Sequence, residues 1–192
     1  MNCVILGSGK GSNAKAILNA WTNNQLGNAE IKAVFSDNKD AQILEVAESY
    51  SVPSRLIELT QFSPFISSED SKSLIKSVNE FSPDLIILAG FMKILPAEFI
   101  SIFNNNIINI HPSLLPSFKG TNAIKKAFEF GVKITGCTVH WVTEEIDQGK
   151  IIAQAPVRIM ETDTLDSLSQ KIHAAEHVLF PSVILNLSYS LP

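Results

Sequence analysis

The sequence predicts an α/β protein with a doubly wound, mostly parallel central sheet and an antiparallel strand pair in its C-terminal half. Three observations carry this expectation. Short apolar runs alternate with amphipathic stretches in a βαβαβ rhythm from residue 3 onward. Leu85-Ile86-Ile87-Leu88 is apolar at every position, as a strand buried on both faces should be. Beyond residue 130 the rhythm changes to an alternating segment followed by a further strand, the pattern of an antiparallel pair.

In chain order, Cys3-Val4-Ile5-Leu6 reads as a buried strand and Gly7-Ser8-Gly9-Lys10-Gly11 as the turn after it. Ala14, Ile17, Leu18 and Trp21 recur at i, i+3, i+4 and i+7, one face of a helix. Ile31 to Phe35 is predicted as a second strand and Ala41 to Tyr50 as a second helix. Ser67 and Asp70 have the spacing of a capping box, opening a helix through Leu74, Ile75 and Val78 that Pro83 stops. Ile107 to His111 is a β-branched run that Pro112 breaks. From Ile134 to Val142, Cys137, Val139 and Trp141 alternate with Thr138, His140 and Val142, and Ile151 to Val157 follows as a strand. The polar loop between them, Thr143 to Gly149, is expected to carry function. Thr162-Asp163-Thr164 caps a long last helix, with Leu165, Leu168, Ile172, Ala175 and Leu179 as its buried stripe. No repeat, low-complexity tract or linker divides the chain, so one compact domain with two functional halves is expected.

A chain of 192 residues buries roughly 70% of its unfolded surface and needs no staple. Its 45% hydrophobic and 18% charged content is that of an ordinary globular protein. The formal net charge of −4 disfavours a nucleic-acid-binding surface but leaves room for a small anionic substrate held by backbone donors. Cys3 and Cys137 lie in apolar runs without metal-ligand spacing and read as buried, reduced thiols. No leader is visible, and the longest apolar run, Leu85 to Met92, is far short of the ~20 residues that span a bilayer. A cytoplasmic protein is expected, with no nucleic-acid or membrane partner and no metal.

The segment IINIHPSLLPSF, residues 107 to 118, is the most informative about chemistry. Alternation puts Asn109 and His111 on one side of the strand and Ile110 on the other. An amide donor beside an imidazole, at the C-terminal edge of an α/β sheet, suits stabilising an oxyanion and moving a proton. Asp147 is the natural third member, because a nearby carboxylate favours a charged imidazolium; the alternative is an acidic surface loop with Glu144 and Glu145. The glycine loop lacks Ser or Thr directly after Lys10 and has Ser12 where a dinucleotide fingerprint needs glycine. It is either a mononucleotide-type phosphate cradle, with Ser12 and Asn13 as added donors, or a plain turn and N-cap. His173, Glu176 and His177 share a helix surface, which reads better as a satisfied surface than as a metal site. His140 is expected to be structural or site-lining.

These segments together resemble the folate-dependent glycinamide ribonucleotide formyltransferases of purine biosynthesis. The resemblance rests on VILGSGKGSN, AVFSDN, LAGFMKIL, NIHPSLLPSFKG, GCTVHWVTEEIDQGKIIAQ and AAEHVLFP, which run in order across almost the whole chain. It implies a single formyltransferase domain over 1–192, with a phosphate- and nucleotide-binding half over 1–100 and a folate-binding, catalytic half over 101–192. It implies 10-formyltetrahydrofolate as co-substrate, the glycinamide ribonucleotide amine as acceptor, and a monomer or homodimer. By the same resemblance Asn109, His111 and Asp147 are the catalytic triad. Gly11, Ser12, Asn13, Gly90, Ile110, His173 and Glu176 fall to the acceptor. Met92, Lys93, Ile94 and Leu95, with Asn109 and Thr143, Glu144, Glu145, Ile146 and Asp147, fall to the folate.

Three departures from that family stand out: no Arg in Phe65-Ile66-Ser67-Ser68-Glu69, where members often carry one, Lys119 before Gly120, and Lys150 after Gly149. Methionyl-tRNA formyltransferase is disfavoured by the acidic net charge and by the chain's end at Pro192, and formyltetrahydrofolate deformylase by a chain starting at its first strand. A sugar-amine formyltransferase shares the same chemistry. A nicotinamide-dependent oxidoreductase or nucleotide-binding module, with Asp37 as ribose ligand, would leave Asn109, His111 and Asp147 unexplained.

Overall fold

A computed structural model describes residues 1–60, 63–103 and 106–190. Seven strands form one sheet in the order β3-β2-β1-β4-β5-β6-β7. They are β1 (Asn2–Leu6), β2 (Glu30–Ser36), β3 (Ser54–Leu56), β4 (Leu85–Leu88), β5 (Ile107–His111), β6 (Ile134–Trp141) and β7 (Ile151–Arg158). The first five are parallel, while β6 is antiparallel to both neighbours. The expected antiparallel pair is therefore present, and β5–β6 is antiparallel as well.

Alternate side chains of β1 feed two cores. Cys3 and Ile5 join Ile17 and Leu18 of α1 (Ser12–Thr22), Ile43 of α2 (Gln42–Ser49) and the long helix α6 (Leu165–Leu187). Val4 and Leu6 face the opposite layer, with Leu74 and Val78 of α3 (Ser68–Asn79) and Phe99 of α4 (Ala97–Ile102). A fifth helix, α5 (Ala123–Phe130), lies between β5 and β6 in sequence and touches α6. The strand order reverses at β1 and β4, so their C-terminal ends open a crevice, the place where open α/β sheets hold ligands.

Three local expectations change. Ser67 Oγ accepts the Asp70 N–H at 3.1 Å, but the box is only half formed. The Asp70 carboxylate turns instead to the Thr60 N–H and hydroxyl, at 3.0 to 3.2 Å. In α6 the Thr164 box is complete through Ser167, while Leu165, Ala175 and Leu179 are only half-buried. Leu168, Ile172, Phe180, Val183 and Ile184 fill the core there, because their spacing follows the face that α6 turns to α1 and β7. Trp21 is likewise half-buried at the end of α1.

Candidate active site

Asn109 and His111 project from β5 on the side opposite Ile108 and Ile110, which are committed to the core against α6. Across the ladder Asn109 pairs with His140 and His111 with Thr138. The antiparallel register thus sets a second imidazole directly beside the Asn109 amide. Asn109 Nδ2 lies 3.3 Å from His140 Nε2, and His140 Nδ1 donates to the Trp141 carbonyl at 2.9 Å.

Asp147 enters from the β6–β7 loop with φ +53°, a left-handed conformation that Asp tolerates better than most residues. Its carboxylate accepts the Gly120 N–H at 2.7 Å. One oxygen lies 3.4 Å from His111 Nδ1 and the other 3.6 Å from His140 Nε2. Burial alone would raise this carboxyl. The adjacent His140 ring, the Gly120 N–H and the nearby His111 outweigh it and hold the group below the usual carboxylate range. Gly149 makes the loop feasible, since a Cβ there would run into the Trp141 carbonyl.

The segment after β5 is shaped by a buried hydroxyl. Thr138 Oγ1 donates to the Ser113 carbonyl at 2.7 Å and accepts the Leu115 N–H and the Gln154 amide, each at 3.0 Å. That anchor holds the turn whose Phe118 carbonyl accepts from His111 Nε2 at 2.9 Å. A carbonyl only accepts, so His111 carries its proton toward Phe118 on Nε2, and Nδ1 is the nitrogen facing Asp147. Thr138→Val leaves the Leu115 N–H and the Ser113 carbonyl unpaired in the interior. The expected loss is about 1–3 kcal/mol of stability, measurable as a lower urea midpoint, with Thr138→Ser close to the parent.

At the far end of the cleft, Glu176 is 2% exposed although it interrupts the apolar stripe of α6. Its Oε2 accepts from Asn13 Nδ2 at 2.9 Å and from His173 Nδ1 at 3.0 Å. That hydrogen bond from His173 to Glu176 raises the imidazole's pKa, although His173 itself is half exposed. Burial lowers the neighbouring His177. Gly11 caps α1 at φ +75° and packs so closely on α2 that a Cβ would sit 2.8 Å from Ile43 Cα. Gly90 also has positive φ, and its carbonyl accepts the Ser8 N–H at 3.1 Å, joining the loops after β1 and β4.

A cavity of about 630 Å³ connects these groups, within the usual range for small-molecule sites. Of the residues expected on acceptor and folate, Asn13, Gly90, Ile110, His173 and Glu176 line it, as do Met92 to Leu95 and Thr143 to Asp147. Gly11 and Ser12 do not: Gly11 is buried and Ser12 exposed at the helix N-terminus. Met92 is 69% exposed and Ile146 53%, an apolar rim at the cavity mouth. Lys93 Nζ donates to the Ser63 carbonyl at 2.8 Å and lies 3.8 Å from Asp37. With the Phe65–Ile94 bridge, it ties the segment lacking Arg to the cavity wall. Asp37 does not line the cavity.

Sequence pattern alone underrates His140 and misses Pro64, Phe118, Gly120 and Thr121 as contributors. Phe118 and Gly120 act through main-chain atoms, which no side-chain pattern announces. Glu176 does leave a signal, a carboxylate at a core position of α6. Among the described residues, no group of three or more His, Cys, Asp or Glu is placed to hold a metal ion, and no helix is long and apolar enough to cross a membrane.

Comparison with known proteins agrees with the chemistry of this cleft. Residues 1–184 match the formyl transferase family. The chain is 43% identical, over 94% of its length, to the trifunctional purine biosynthetic protein adenosine-3 of Gallus gallus, of which it spans only 18%. It is 36% identical to phosphoribosylglycinamide formyltransferase of Escherichia coli, covering 96% of this chain and 85% of that one. Among solved structures, the phosphoribosylglycinamide formyltransferase of Anaplasma phagocytophilum superposes with TM-score 0.88 at 40% identity, covering 99% of this chain and 88% of that one. That of Bacillus halodurans gives TM-score 0.91 at 35% identity, covering 97% and 95%.

Proposed function

The chain belongs to the formyl transferase family, and on that premise we propose that it moves a formyl group from 10-formyltetrahydrofolate to the amine of glycinamide ribonucleotide in purine biosynthesis. The observation that carries this reading is the convergence of Asn109, His111 and Asp147, from a strand and a separate loop, on one cavity wall. The protein acts on small molecules in the cytoplasm, with residues 1–100 supplying most of the phosphate side and 101–192 the chemistry.

The acceptor amine attacks the formyl carbon and pushes negative charge onto the formyl oxygen. The His111 Nδ1–H and an Asn109 N–H face the cleft where that charge develops, and one such donor is worth about 10²–10³ in rate. Asp147 holds the imidazolium in place through its charge. As the tetrahedral centre collapses, the new C–N bond stays, the bond to folate N10 breaks, and the amine proton passes to N10. Asp147 and His111 assist that transfer, with water as the carrier. Holding both substrates in one cavity supplies proximity. Met92 and Ile146 offer apolar surface to the folate ring, while Gly11, Ser12 and Asn13 present helix N-terminal donors to the phosphate. Glu176, already gripped by Asn13 and His173, accepts ribose hydroxyls.

Incubation with 10-formyltetrahydrofolate and glycinamide ribonucleotide should give formylated nucleotide and tetrahydrofolate in equal amounts. Tetrahydrofolate released without acceptor would replace this reading with a hydrolase, and turnover only with an amino sugar would replace the acceptor. Glu176→Gln should raise the acceptor KM about ten- to hundredfold, the loss of a charged hydrogen-bond partner, while kcat changes little. An unchanged KM in steady-state assays would remove Glu176 from the acceptor site.

A further inference from the structure

His140 lies outside the Asn109, His111 and Asp147 set, yet its ring is buried in the wall that they share. Its Nδ1 is committed to the main-chain carbonyl of Trp141 at 2.9 Å. A carbonyl cannot donate, so the ring proton sits on Nδ1 and a neutral ring presents a lone pair at Nε2. Facing that lone pair at 3.3 Å is the Asn109 amide. Asp147 Oδ1, at 3.6 Å, is beyond hydrogen-bond reach and could not donate as a carboxylate. Only the NH₂ end of Asn109 satisfies Nε2; the carbonyl end would set two acceptors against each other.

We infer that His140 is a positioning residue that fixes the rotation of the Asn109 amide through the Trp141–His140–Asn109 chain, and this rests on the formyl-transfer reading above. The NH₂ group carries two hydrogens. With one held by His140 Nε2, the second is left for the formyl oxygen as it becomes an oxyanion. Without the lone pair, the amide turns freely by 180°, and in half of its orientations it offers oxygen to oxygen at the moment charge develops. The third link is main chain, and its carbonyl is positioned by the β6–β7 turn, where Trp141 N–H also bonds the Lys150 carbonyl at 3.0 Å.

The test is a pair of variants read by kcat and KM separately. His140→Leu keeps bulk and removes the acceptor. It should lower kcat about 10–100-fold, as loss of an orienting partner does, with both KM values within about threefold of the parent. His140→Gln puts an amide oxygen where Nε2 lies and should recover most of that kcat. In an Asn109→Ala background, His140→Leu should cost almost nothing further, because the amide that it orients is gone. A full, independent loss in that background overturns the proposal, as does parental kcat in His140→Leu. Ring ¹⁵N shifts of the unaltered protein provide a measurement that needs neither folding of a variant nor turnover. An unprotonated Nε2 supports the assignment and a protonated Nε2 overturns it. Absence of formyl transfer by the parent would instead retire the functional reading while leaving that tautomer measurable.

Discussion

Asp147→Asn is expected to lower kcat by about 10²–10⁴-fold, the range seen when a charged participant in proton transfer is lost, with the acceptor KM within about threefold. Asparagine is isosteric and occupies left-handed backbone as readily as aspartate, so the φ +53° turn survives the change. Its Oδ1 can still accept the Gly120 N–H, which keeps the loop attached. What disappears is the negative charge 3.4 Å from His111 Nδ1. Turnover near parental values would show that the carboxylate's charge has no part in the reaction. The same charge has a pH signature. The folded carboxyl is depressed, so its contribution to stability is complete above the unfolded value of about 3.9. It is lost as pH falls through the lower folded value. Stability measured by urea unfolding should therefore fall more steeply in the parent as pH drops below about 3.9, and the Asn variant should show the shallower acid dependence.

Gly149→Ala is the second large effect. The added methyl has no space, because the Trp141 carbonyl fills the position where its carbon would go. That neighbour is backbone inside a ladder, so relief requires the β6–β7 turn to move. Overpacking of this kind costs about 1–3 kcal/mol, about 2–12 °C in melting temperature for a domain of this size. The chemical consequence is sharper than the thermal one. Asp147 sits two residues from the disturbance, and a displacement of about 1 Å at a reacting group can cost 10²-fold. The expected outcome is a folded, mildly destabilised protein with kcat reduced at least as much as in Asn109→Ala. A variant that melts like the parent and turns over normally would mean that the turn has slack which the close contact denies.

The long elements were legible because their periodicity repeats often enough to be read. β1, β2, β4, β5, β6, β7, α1 and α6 all occupy segments where three or more apolar residues fall in phase. β3 escaped, being three residues long and only partly covered at the sheet edge. α4, of six residues, spans too few turns to establish a 3.6-residue period, whereas α5 went unread although α2, equally of eight residues, was legible. The same limit explains what the site withheld. Asn109, His111 and Asp147 were readable as residue types, and the resemblance to the family joined them. His140 was readable only as structural or site-lining, because its partner is decided by the β5–β6 register, and a one-residue slip would send its side chain to the other face. The turn at Phe118 to Asn122 takes positive φ at three positions, two of them non-glycine, and no sequence rule singles out Phe118 for that conformation.

The reversed direction of β6 has a consequence for how this scaffold can change. The donors and the acid proposed for the reaction come from β5 and the loop leading to β7, with β6 between them supplying the positioning ring, all neighbours in space. The groups assigned to the nucleotide, Asn13 and Glu176, are borrowed from opposite ends of the polypeptide. A lineage could therefore exchange one amine for another by editing the outlying helices while inheriting the reactive hairpin intact, which makes the choice of recipient the more evolvable half of the enzyme.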